Sequence, residues 1–109
     1  MSSFEGCYTK DHNIVTRSIA GETVIVPIRG GVGDLDSIYI LNDMATAIWQ
    51  RIDGRVPVYQ LIEVICTEYD VTAADAAQDI SDFLASLGAT GLIWPTIESE
   101  GVRYGNTAL

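Results

Sequence analysis

The sequence predicts an α+β domain in which a three-stranded antiparallel sheet is followed by a three-helix bundle. Three observations predict it. The β-rich alternating segments all precede Asn42, the helical apolar periodicities all follow it, and glycine or proline marks most junctions between them. At 109 residues the chain has the length of one domain and can bury a core without staples.

The elements follow in order. Residues 1–12 are mixed and polar and read as a flexible arm. Asn13 to Ile19 reads as a first strand and Thr23 to Ile28 as a second, joined at Ala20-Gly21-Glu22 into a hairpin. Pro27 lacks an N–H and is expected at an edge, an end or a bulge. Arg29 to Asp36 is a glycine-rich connection. It lacks both the Gly-Lys-Ser/Thr ending of a P-loop and the spacing of a dinucleotide fingerprint.

Ser37 to Leu41 is the third strand and runs straight into a helix. Asn42 is the expected N-cap, and Asp43 follows where the helix dipole favours an acid. Leu41, Ala45, Ile48, Trp49 and Ile52 share one helical face, and Asp53-Gly54 is the expected stop. A second helix is expected to start with Pro57 in its first turn and to bury Val58, Leu61, Ile62, Ile65, Cys66 and Tyr69. Thr72 to Asp75 resembles a capping box and opens a third helix through Gly88, striped by Ala76, Ile80, Phe83, Leu84 and Leu87. The second and third helices, joined by Asp70-Val71-Thr72, could form a helix-turn-helix, which makes the fold winged-helix-like. Gly91 to Pro95 is an apolar exit, and residues 96–109 form a polar tail outside the domain proper, residues 13–95.

Charge narrows the function. The formal net charge is −9, and no Lys or Arg occurs between Val56 and Val102. The candidate recognition helix carries Asp75, Asp79 and Asp82 and no basic residue, which argues against nucleic acid. No apolar run approaches the ~20 residues that span a bilayer. No signal peptide is evident, so a cytoplasmic protein is expected.

Catalytic and metal chemistry find little support. The single histidine, His12, lies with Cys7 in the expected arm, where a nucleophile would lack rigid positioning. Cys7 and Cys66 form no metal-ligand pattern. The three aspartates read as a solvated helix face. No enzyme activity, metal or cofactor is expected. A small sheet with an open edge, by contrast, can accept an extended peptide as an added strand.

The chain also resembles the pyrroloquinoline quinone synthesis protein D (PqqD) family, the RiPP recognition elements, from about Ile14 to Trp94. The matching features are Gly21-Glu22, Ile38-Tyr39-Ile40-Leu41-Asn42, Ala47-Ile48-Trp49 and Asp53-Gly54. They continue with Glu68-Tyr69-Asp70-Val71, Asp79-Ile80, Phe83-Leu84, Leu87 and Gly91-Leu92-Ile93. The resemblance implies a winged-helix-like fold that binds the leader of a ribosomally made precursor peptide as an extra antiparallel strand. It also implies delivery of that peptide to a modifying enzyme, often a radical SAM enzyme. Carried onto this chain, the strand ledge is Ser37, Ile38, Tyr39 and Ile40, and the helix wall is Asp75, Ala76, Gln78, Asp79 and Asp82. Where family members often carry Thr at the start of the second helix, this chain has Val56-Pro57. The competing reading is an acidic, non-catalytic interaction or regulatory module. The oligomeric state is left open between a monomer and a homodimer paired through the same edge.

Overall fold

A computed structural model describes residues 3–96. The strands are β1 (Tyr8–Lys10), β2 (Ile14–Ile19), β3 (Glu22–Arg29), β4 (Val32–Gly33), β5 (Tyr39–Leu41) and β6 (Ile93–Pro95). The helices are α1 (Asp43–Gln50), α2 (Val58–Glu68) and α3 (Ala73–Ala89). The class is α+β, as the sequence predicts, with more strands than the expected three.

β3 is the centre of the main sheet. It pairs antiparallel with β2 from Ile14↔Pro27 to Ile19↔Glu22, with β5 from Thr23↔Leu41 to Ile25↔Tyr39, and with β4 at Ile28↔Gly33 and Arg29↔Val32. Two-residue turns make both hairpins. Ala20 and Gly21 have φ of 53° and 85°, and Gly30 and Gly31 have 61° and 81°. Positive φ at both central positions is what a turn matched to strand twist requires.

Side chains alternate along β3. Thr23, Ile25 and Pro27 are buried towards the helices, while Val24, Val26 and Ile28 on the other face are half-buried. Pro27 sits in this central strand without breaking a ladder. The Ile28 N–H donates to Asn13, so the Ile28 amide faces β2, and that of Pro27 faces the other way. There the β5 ladder ends at Ile25 and the β4 ladder begins at Ile28, so the missing N–H leaves a gap unfilled. The Pro27 carbonyl still accepts from Asp34 N–H at 2.7 Å.

The helices begin where side-chain caps satisfy their free amides. Asn42 Oδ1 accepts from Ala45 N–H at 2.9 Å and Thr72 Oγ1 from Asp75 N–H at 3.1 Å. α2 has no such side-chain bond. Pro57 is its N-cap rather than a residue of its first turn. α1 ends at Gln50 with Arg51 as its cap, earlier than the Asp53-Gly54 stop that the sequence suggests. Between sheet and helices lies one core. Ile25 and Leu41 meet Ile48, Trp49 and Ile52, then Leu61 and Ile65, then Ile80, Leu84 and Leu87, closed by Leu92 and Ile93.

The segment expected to be an arm differs most. Tyr8–Lys10 is a strand, paired antiparallel with Ile93–Pro95. It is tied to the α1–α2 connection by Gly54 N–H to Tyr8 O at 2.7 Å and Val58 N–H to Gly6 O at 3.0 Å. Lys10 places its ammonium 4.7 Å from the centre of the buried Trp49 ring. Desolvation lowers the Lys10 pKa, and the Asp53 carboxylate partly opposes that. Of the expected polar tail, residues 97–109 lie outside the described residues.

Candidate functional site: an open strand edge beside an acidic helix

β5 is paired on one side only. β3 covers one edge, and among the described residues no strand covers the other. Pairing phase fixes which groups are free. Because Ile28 N–H points at β2 and the Pro27 carbonyl points at β4, the amides of Thr23 and Ile25 face β5. Their partners Leu41 and Tyr39 therefore spend their N–H and C=O groups on β3. Ile40, opposite Val24, turns its N–H and C=O to the open side. Its side chain stands on the outer sheet face, 67% exposed.

The ledge is shorter than the sequence suggests. Ser37 is the last residue of a 3-10 turn, Leu35–Ser37, and Ile38 is extended but unpaired with β3. The turn is held by Asp34, whose carboxylate accepts from Asp36 N–H at 3.2 Å and pairs with Arg29 Nε at 2.8 Å. The Ser37 hydroxyl, and then Arg29, hold that carboxyl below the usual aspartate range.

The wall opposite is α3. Tyr39 reaches across to it, its hydroxyl 3.4 Å from Ser86 O and 3.3 Å from Ser86 Oγ. Nearer the start of α3 lies a cleft of about 200 Å³ lined by Asn42, Met44, Ala45, Ile48, Asp79 and Phe83. Its floor is apolar, and Asp79 stands at its rim on an exposed position. Of the other expected wall residues, Ala76 is 1% exposed and belongs to the core. Asp75 is exposed in the first turn, and Gln78 Nε2 donates to Asp82 Oδ1 at 3.0 Å on the solvent side.

Met44, Ala45 and Phe83 are cleft residues that sequence reasoning placed in no site. Ala45 and Phe83 lie on the predicted apolar stripes, and the gap left between α1 and α3 leaves part of those stripes uncovered. Tyr69, expected on a buried face, is half-buried and donates its hydroxyl to Asp43 Oδ2 at 3.1 Å. Desolvation, and then that carboxylate, raise the Tyr69 pKa.

A larger concavity, about 780 Å³, lies between Glu5, Cys7, Gly54, Arg55, Pro57, Tyr59 and Gln60. No open ladder borders it, whereas the smaller cleft adjoins free backbone groups. Cys7 bridges to Pro57 and His12 is exposed, so the two residues serve different surroundings. Among the described residues no group of three or more His, Cys, Asp or Glu side chains could hold a metal ion, and no helix is long and apolar enough to cross a membrane.

Comparison with known proteins agrees with the resemblance read from the sequence. The family model for coenzyme PQQ synthesis protein D (PqqD) matches residues 22–93. Two solved structures share the fold. One is TbiB1 in complex with the TbiA(beta) leader peptide, with a TM-score of 0.67 and 22% identity, covering 78% of this chain and 93% of that one. The other is lasso peptide synthetase B1 complexed with the leader peptide, with a TM-score of 0.68 and 25% identity, covering 81% of this chain and 98% of that one. No curated protein matches the sequence.

Proposed function

We propose that this chain, which belongs to the coenzyme PQQ synthesis protein D (PqqD) family, is a peptide chaperone that captures the leader of a ribosomally made precursor. The leader adds to β5 as an antiparallel strand and lies in the groove against α3. The observation that carries the reading is the free N–H and C=O of Ile40 beside the apolar cleft of Met44, Ala45, Ile48 and Phe83. Main-chain hydrogen bonds supply affinity there, and the cleft supplies selectivity. Both fold neighbours were solved with a leader peptide bound, which supports the same use of this chain.

In this reading the unit that binds is the whole body from β1 to β6, with Ile38, Tyr39 and Ile40 as its ledge, Asp79 and Phe83 along its wall, and Asp75 and Asp82 as exposed acids flanking it. The chain contributes no catalytic group. It acts in the cytoplasm by presenting the rest of the precursor to a separate modifying enzyme, of the radical SAM class or another. The same edge is where two copies would pair, so the peptide-binding form is the one with β5 free.

The test is a titration of isotope-labelled protein with the leader of a precursor peptide, to be sought as a short open reading frame beside the gene. Backbone shifts concentrated at Ile38–Leu41 and Asp79–Ser86 are expected. No shifts at high excess of that peptide would remove the chaperone reading.

A further inference from the structure

Resting on strand addition at β5, we propose that the groove selects leaders carrying Lys or Arg two residues before an apolar side chain, with Asp79 as the specificity-determining residue.

The cleft defines the site, and the charge around it defines the preference. Asp79 makes no hydrogen bond or ion pair among the described residues. The other carboxylates nearby are Asp43, which accepts from Tyr69, Asp82, which accepts from Gln78, and Asp75. α3 holds no Lys or Arg, and no basic residue lines the cleft. The ion pairs of the described residues, Arg29–Asp34 and Arg51–Glu68, lie elsewhere. A cationic side chain entering here meets uncompensated negative charge, and an acidic one is repelled.

Order follows from geometry. β5 runs from Tyr39, beside Ser86, towards Asn42, beside Asp79 and Phe83. It therefore runs against the direction of α3. A strand added antiparallel to β5 travels with α3, entering at the Asp75–Asp79 end and leaving at Ser86. Its alternate residues face the groove. The residue opposite Leu41 meets the apolar floor. The groove-facing residue two positions before it lies past the end of β5, at the carboxylate end beside Asp79. The pattern is thus a basic residue, any residue, then an aliphatic or aromatic one. The middle residue, level with Asn42, points to the other side of the sheet, so that position is open to many side chains.

The test selects random peptides displayed on phage against the protein, Asp79→Asn and Asp79→Lys. Asp79 is exposed, so neither change disturbs the core. A peptide from the unmodified protein's pool is first mapped by backbone NMR. Shifts absent from β5 would overturn strand addition and this inference with it. With shifts at β5, the unmodified protein is expected to enrich the basic-x-apolar order, and Asp79→Lys to enrich Asp or Glu at the first position. Replacing the basic residue by Ala should weaken binding to the unmodified protein about two- to fivefold and leave Asp79→Asn unaffected. Identical pools from all three proteins would overturn the charge preference while strand addition stands. The reverse order, apolar before basic, would overturn the antiparallel direction.

Discussion

The Tyr39 hydroxyl meets the Ser86 carbonyl and hydroxyl across 47 residues of sequence, at 3.4 and 3.3 Å. This contact bridges β5 and the C-terminal half of α3, and so sets the spacing of the two sides of the groove. Tyr39→Phe keeps the ring and removes the bridge. Its bond is exposed, so the expected loss of stability is below ~1 kcal/mol. Tyr39→Ala also removes the packing and should cost about 1–3 kcal/mol. Urea unfolding of the two variants measures the difference, and equal losses would place all of the effect in the hydroxyl.

Ile80 lies on α3 one residue after Asp79, about 100° round the helix, and is fully buried. Ile80→Ala should destabilise the domain by about 2–5 kcal/mol through lost burial and the cavity left behind. Asp79→Ala should change stability by less than ~0.5 kcal/mol. Paired denaturation curves check both, and a costly Asp79→Ala would show that the carboxylate supports the fold.

Ala20 occupies a positive-φ position that glycine or asparagine fills more easily. Ala20→Asn creates Asn-Gly at the β2–β3 turn and should raise stability by about 0.5–1 kcal/mol. A higher thermal midpoint with unchanged peptide affinity is the expected outcome, since the turn joins β3 to the strand on its far side from β5.

Acid should weaken the domain through Asp34 and Asp53. Ser37 and then Arg29 lower the first, and the Arg55 amide chiefly lowers the second. A depressed carboxyl contributes stability above the ordinary aspartate range, near ~4, and loses it as pH falls through the folded value. Asp34→Asn should therefore be less stable than the parent at neutral pH, and the difference should shrink as pH drops below about 4. Tyr69 has the opposite sense. Its raised pKa contributes stability below ~10 that is lost at higher pH, and Tyr69→Phe should flatten that alkaline limb. Unfolding midpoints across the pH range measure both.

Local chemistry made part of this structure legible from sequence. The Asn42 and Thr72 caps are side chains bonding backbone three residues on, so sequence spacing alone identifies them. The apolar stripes of α2 and α3 follow the helical period. β1 and β6 escaped because each is three residues long, too short to show alternation, and their pairing joins residues more than 80 apart. Pro57 fits a cap and a first turn equally well by residue type, and only the backbone distinguishes them. In the site, Tyr39 to Leu41 are legible as a strand, while the 3-10 turn that shortens it at Ser37 is not. Ala76, expected on the wall, belongs to the core, since small size suits a groove and a core alike. The cleft arises where the stripes of α1 and α3 face a common gap, a relation that neither stripe states alone.

The pairing of β1 with β6 also orders events during synthesis. Tyr8–Lys10 leaves the ribosome before the other described strands, yet its partner Ile93–Pro95 is among the last described residues made. The earliest strand must wait, unpaired, while the sheet and all three helices assemble behind it. Closure of this clasp is then a late, long-range step of the kind that slows folding. A chain whose α3 has emerged but whose β6 has not would display the sheet with its β5 edge open and its clasp still unmade.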